Sequence, residues 1–188
     1  MRSAVLRTVA CLGLLGLGLS AGVPGLLQPA PAAAQSALPS QVGKLSIDRM
    51  FVSEVPATKY RDPALRQTAN VPADRELHIY VEPVGLATKF ENGEVKAQMI
   101  IDLQLKNTAG KVIRDGKGLL KLPIAVKAQS HLPLKDIYTN IKLDPLKLAP
   151  GPYVLLVRVN DEFGRTAAEK TIGFTQTAAQ GGAAPAKK

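Results

Sequence analysis

An all-β domain of two packed sheets is predicted here on three observations. Apolar and polar residues alternate with period two along several runs, turn dipeptides punctuate those runs, and no segment carries a long apolar stripe at helical spacing. The elements are taken below in chain order.

The first 34 residues are expected to be a secretory signal peptide. Arg2 and Arg7 lead without an acid, the apolar run TVACLGLLGLGLSAGV follows, and PAPAAA ends in the small residues that suit cleavage after Ala34. As a membrane anchor the run fails, since glycine and proline interrupt it and it falls short of the roughly 20 apolar residues that span a bilayer. The single cysteine, Cys11, precedes most of the apolar run, the wrong order for a lipoprotein cleavage box. The exported chain then has no thiol, so its stability must come from a core and not from disulfides.

Cleavage leaves 154 of the 188 residues, enough for one domain burying about two-thirds of its unfolded surface. All 15 acids and 22 of the 24 lysines and arginines lie after residue 34, a net charge of +7. The excess concentrates at Lys106, Lys111, Arg114, Lys117, Lys121 and Lys127, which have one acid, Asp115, among them. Such a stretch either attracts an anionic polymer, a glycan or lipopolysaccharide, or forms a solvated edge whose lysines discourage strand pairing. Positions 106 to 127 hold no aromatic residue for stacking bases, which argues against specific nucleic-acid binding.

A polar lead, 35–43, precedes the domain at 44–176, and the Ala/Gly/Pro/Lys tail 177–188 is expected to be disordered. Within the domain, Leu77, Ile79 and Val81 alternate with His78, Tyr80 and Glu82. Val95, Ala97, Met99, Ile101, Leu103 and Leu105 form one face of a longer strand. Ile137, Ile141 and Leu143 oppose Tyr138, Asn140 and Lys142. NG at Asn92, AG at Ala109, DG at Asp115 and PG at Pro150 mark turns. DPALRQTA leaves room for one short helical turn.

Parity locates a crossing between sheets. A two-residue turn in ENGE pairs Phe90 with Val95, hence Leu86 with Met99 and Val84 with Ile101. Continued further, it would put every side chain before Val84 on the wrong face, because the side-chain period is two. Pro83, which cannot donate to a ladder, stands at the conflict. Arg75–Glu82 and Val84–Phe90 are therefore expected to be two strands in different sheets, or to flank a bulge.

Towards the C-terminus, Pro150–Gly151 turns the chain into Tyr153, Leu155, Val157 and Val159. NDEFGR forms a loop, and Ala168, Ile172 and Phe174 return on one face. LAPGPYVLLVRVNDEFG resembles the last two strands of immunoglobulin-like modules of bacterial envelope proteins, over about thirty residues. The resemblance implies an immunoglobulin-like two-sheet sandwich of about 7–9 antiparallel strands, with the Tyr153 hydroxyl tied to backbone at the preceding corner. It implies fold alone, since sandwiches host many unrelated functions. The cysteine pair and tryptophan of antibody domains are absent.

Signals for chemistry are sparse. His78 and His131 lie far apart, and no HExxH, cysteine ligand or calcium-loop spacing accompanies them, so no metal or other cofactor is expected. GxSxG is absent, and Ser130 and His131, adjacent on an extended chain, point to opposite faces. The candidate binding face comprises His78, Tyr80 and Glu82 on one strand and Tyr138, Asn140 and Lys142 on another. In immunoglobulin-like topology these strands are neighbours, and their outward faces would present two tyrosines among hydrogen-bonding groups, a surface suited to a protein or saccharide of the cell envelope. Ordinary cross-strand pairing on a wet face is the competing account. The expected function is a non-enzymatic binding or scaffolding module of the periplasm, or a secreted one, with no transmembrane segment after cleavage. Two other classes stay open, an anionic-polymer binder acting through 106–127 and an enzyme whose site the sequence does not mark.

Overall fold

A computed structural model describes residues 43–129 and 134–179. The expected signal peptide, most of the polar lead, Ser130, His131 and the end of the tail lie outside the described residues. The chain is all-β. Its strands are β1 (Ser46–Ser53), β2 (Asn70–Pro72), β3 (Leu77–Val84), β4 (Lys89–Glu91), β5 (Glu94–Asn107), β6 (Val112–Lys127), β7 (Thr139–Leu143), β8 (Gly151–Asp161) and β9 (Thr166–Thr177). One sheet has the order β1-β3-β7. The other has the order β2-β9-β8-β5-β4, with β6 along the opposite side of β5. All pairings are antiparallel except the three-residue β2–β9 ladder, which is parallel and departs from the all-antiparallel expectation.

The alternation read from the sequence is the alternation of burial. Val95, Ala97, Met99, Ile101, Leu103 and Leu105 of β5 are all buried, and Leu155, Val157 and Val159 of β8 lie beside them. They meet Met50, Val52, Leu77, Ile79, Val81 and Ile141 of the three-stranded sheet in one core between the layers. The expected hairpin is present: Phe90 pairs with Val95, and Asn92 and Gly93 take positive φ values of 54° and 74°. This is the signature of the turn that matches strand twist. DPALRQTA makes a single turn, Leu65 N–H to Asp62 O at 3.2 Å.

The chain does cross between sheets after β3, but not at Pro83. Glu82 and Val84 share β3, and the bulge lies opposite them, between Ile47 and Arg49 of β1. The break comes at residues 85–88. Gly85 has φ +79°, and a Cβ there would stand 2.6 Å from the Lys44 carbonyl oxygen, so only glycine permits this bend. Consequently Leu86 and Val84 do not pair with Met99 and Ile101, whose partners are Asp161 and Val159 of β8.

DG at Asp115 makes no hairpin turn. It lies inside β6, where residues 117–119 bulge out opposite Asp102 of β5 and Gly118 N–H donates to Asp102 Oδ1 at 2.6 Å. Among the described strands β6 pairs with β5 alone, and Lys121, Pro123, Ala125 and Lys127 are exposed along it. Proline and lysine on such a strand blunt its capacity to recruit another.

Two ties hold the layers and the corner. Lys170 of β9 donates to the Ile47 and Asp48 carbonyls at 3.1 and 2.7 Å, beside the β1 bulge. The Tyr153 hydroxyl donates to Ala149 O at 2.8 Å, the expected corner bond, and its ring stacks on Phe174 at 5.9 Å.

Candidate functional site

The six residues of the expected binding face do come together, because β3 and β7 pair with Tyr80 opposite Asn140 and His78 opposite Lys142. They do not form the fully exposed surface expected: Tyr138, Asn140 and Lys142 are half-buried, and the three β3 residues are buried. Tyr80 is 1% exposed, Glu82 0% and His78 7%. The connection between β1 and β2 engages the polar atoms of Tyr80, Glu82 and Asn140. Arg61 N–H donates to Tyr80 Oη at 2.9 Å, and that hydroxyl donates to Glu82 Oε1 at 2.6 Å. The Arg61 guanidinium lies 3.5 Å from Glu82 Oε2 and 2.9 Å from Asp48 Oδ2. Asn140 grips Ala57 twice, accepting from its N–H at 3.0 Å and donating to its carbonyl at 2.9 Å. The Tyr80 ring packs between Phe51 and Tyr138, at centroid distances of 5.0 and 5.7 Å. Burial, reinforced by the bond to Glu82, raises the Tyr80 pKa, so the phenol stays neutral and donates. This face is therefore an internally bonded layer.

The covering segment is itself shaped by its sequence. Asp62 accepts from Thr58 N–H at 3.0 Å, Thr58 Oγ1 at 2.7 Å and Ala64 N–H at 3.0 Å. Those bonds, the Thr58 hydroxyl first, hold its carboxyl below the usual range. Arg61 takes φ 49° inside this turn, which aims its N–H at Tyr80. At the other end of the layer His78 Nε2 lies 3.7 Å from Glu76, which also pairs with Lys142. His78 Nδ1 is buried without a hydrogen-bond partner, and burial lowers the pKa of this imidazole.

Polar groups remain accessible on the outer face of the larger sheet. Asn160 donates to Asp102 at 2.9 Å and accepts from Arg158 at 3.0 Å, and Arg158 continues to Glu169 at 3.1 Å. Beside this row an open groove of about 630 Å³ is lined by Ile100, Asn160, Phe163, Arg165, Thr166 and Ala167, among others. Its rim is the β8–β9 turn, whose shape is set by Asp161. That carboxylate is 2% exposed and accepts from Phe163 N–H and Gly164 N–H at 3.0 Å each and from Ala87 N–H at 2.7 Å. A Cβ on Gly164 would sit 2.6 Å from Asp161 Oδ2, so glycine is required for this turn. Phe163 carries Lys89 Nζ 4.5 Å from its ring centroid. Arg165 is exposed and has no ion pair among the described residues.

Sequence periodicity marks NDEFGR only as a loop and does not single out this rim. The available signal was a phenylalanine flanked by charges in a short turn, where an apolar ring has no core to enter. The groove offers a guanidinium, an aromatic ring, an amide and the Glu162 carboxylate beside a turn fixed by Asp161. Among the described residues no three His, Cys, Asp or Glu side chains stand together to hold a metal ion, and no helix is long and apolar enough to cross a membrane. The chain matches no protein-family model and no curated protein sequence.

Proposed function

We propose that the chain is an exported, non-enzymatic binding or scaffolding module of the bacterial periplasm. It presents the groove beside the β8–β9 turn to a protein or saccharide of the envelope. The observation that carries this reading is the Asp161-anchored turn, which holds Phe163 and Arg165 at an open groove without using Arg165 in an ion pair. Pre-set aromatic and guanidinium groups are the types that dominate recognition energetics. The layer of Tyr80, Glu82 and Asn140, engaged by the β1–β2 connection, serves as the support of one sheet. The immunoglobulin-like reading is supported by the first, second and fifth long-strand neighbours β1-β3-β7, by the adjacency of β5, β8 and β9, and by the Tyr153 corner bond. Export is supported by the N-terminal segment of signal-peptide anatomy.

The test replaces Phe163 and Arg165 together by serine. Arg165 is exposed and Phe163 half-buried, so the variant should stay folded at a cost of about 1 kcal/mol. Capture of envelope proteins and binding to envelope saccharides should fall. A folded double variant that retains every ligand of the parent would remove the groove from consideration.

A further inference from the structure

Among the described residues, two of the four exposed large apolar side chains are consecutive, Val112 at 43% and Ile113 at 39%, and they lie within the basic stretch. They open β6 immediately after the β5–β6 turn. That turn is built rigidly: Asn107 Oδ1 accepts from Lys111 N–H at 2.9 Å, Gly110 N–H donates to Asn107 O at 3.0 Å, and Gly110 takes φ 80°. Around this tip stand Lys106, Lys111 and Arg114, with Lys117 farther along β6. Arg114 Nη2 donates to Leu146 O at 2.9 Å, which draws the β7–β8 connection and its exposed Lys147 alongside. None of these five cations has a carboxylate partner among the described residues, and the acids of the two segments are Asp115 and Asp144.

We infer that the β5–β6 tip docks on an anionic lipid surface, its lysines and arginine meeting headgroup phosphates while Val112 and Ile113 enter the headgroup–acyl boundary. Basic residues alone would serve any polyanion. The paired aliphatic side chains at the same tip separate the two cases, since they gain nothing against a hydrated polymer and are stabilised at a lipid interface. A second copy of the chain is a poor occupant, because it would bring the same lysines against these. This inference is independent of the groove: it uses a different end of β5 and different residues.

Sedimentation with vesicles tests it, comparing phosphatidylcholine alone with an equal mixture of phosphatidylcholine and phosphatidylglycerol at low salt. The full chain should sediment with the mixed vesicles, not with the neutral ones, and release as salt is raised. Lys106→Gln with Lys111→Gln should weaken sedimentation roughly thirtyfold, at about 1 kcal/mol for each lysine near the surface. Val112→Ser with Ile113→Ser should weaken it by a similar factor while leaving retention on heparin unchanged. The Phe163 and Arg165 double variant should sediment like the parent. Absence of sedimentation with mixed vesicles overturns the inference. So does an apolar variant that sediments like the parent, which would leave the tip as a general attractor of soluble polyanions. Unchanged melting of each variant confirms that the comparison is between folded proteins.

Discussion

Tyr80→Phe removes one oxygen atom and leaves the ring in place between Phe51 and Tyr138, so no cavity opens. The oxygen is the junction of the layer beneath the 54–66 connection. It donates to Glu82 at 2.6 Å and accepts from Arg61 N–H at 2.9 Å. Glu82 is 0% exposed, so water does not replace the lost donor. A hydrogen bond to a buried charged group contributes about 1.5–3 kcal/mol, and an orphaned, partly buried N–H adds about 1 kcal/mol. The sum is about 3 kcal/mol, or roughly 10 °C in melting temperature for a domain of this size. Urea titration followed by far-ultraviolet circular dichroism measures it, as a shift in midpoint at constant slope. Combination with Asn140→Ala, which releases Ala57 on the same connection, should be non-additive by at least about 0.5 kcal/mol. A change below about 0.5 kcal/mol for Tyr80→Phe, as an exposed position gives, would refute the reasoning that this connection seals the face. By the same logic, replacing Tyr80 and Tyr138 together by serine should unfold the domain.

Three further outcomes are expected. Gly164→Ala should destabilise by about 1–3 kcal/mol, because the added Cβ would lie 2.6 Å from the Asp161 carboxylate that fixes the turn; calorimetry reads it, and a neutral result would mean that this turn is free to rearrange. Burial lowers the folded-state pKa of His78 below its ordinary 6.5, against the opposing pull of Glu76 and with a further lowering from Lys142. The unfolded chain therefore binds this proton more readily, so the stability contribution is complete above about pH 6.5 and declines as pH falls through that value towards the folded pKa. His78→Gln should flatten that part of the stability–pH curve, and an unchanged slope would exclude the histidine as its source. Tyr153→Phe should cost about 0.5–1 kcal/mol through the lost bond to Ala149, the lower end following from its exposure to water; no shift in urea midpoint would count against the corner.

The buried faces of β5 and β8, the Asn92–Gly93 hairpin and the Tyr153 tie were legible because each is encoded locally. A period of two puts alternate side chains on one face wherever the strand lies, and positive φ at a turn selects Asn-Gly whatever surrounds it. The crossing after β3 was legible only as a conflict of parity. Its position at Gly85, and not at Pro83, depends on the Lys44 carbonyl packed against that glycine, a contact across forty residues.

The candidate face shows the boundary most clearly. The sequence by itself determined that His78, Tyr80 and Glu82 share one side of a strand and that Tyr138, Asn140 and Lys142 share one side of another. Only the tertiary structure decided that the β1–β2 connection would engage Tyr80, Glu82 and Asn140. A polar side chain on a strand reads the same whether its hydrogen bonds go to water or to a returning backbone, and burial is tolerated once each bond is replaced. Tyr80, Glu82 and Asn140 have that replacement from Arg61 and Ala57, residues whose position follows from the path of a loop and not from any periodicity of their own.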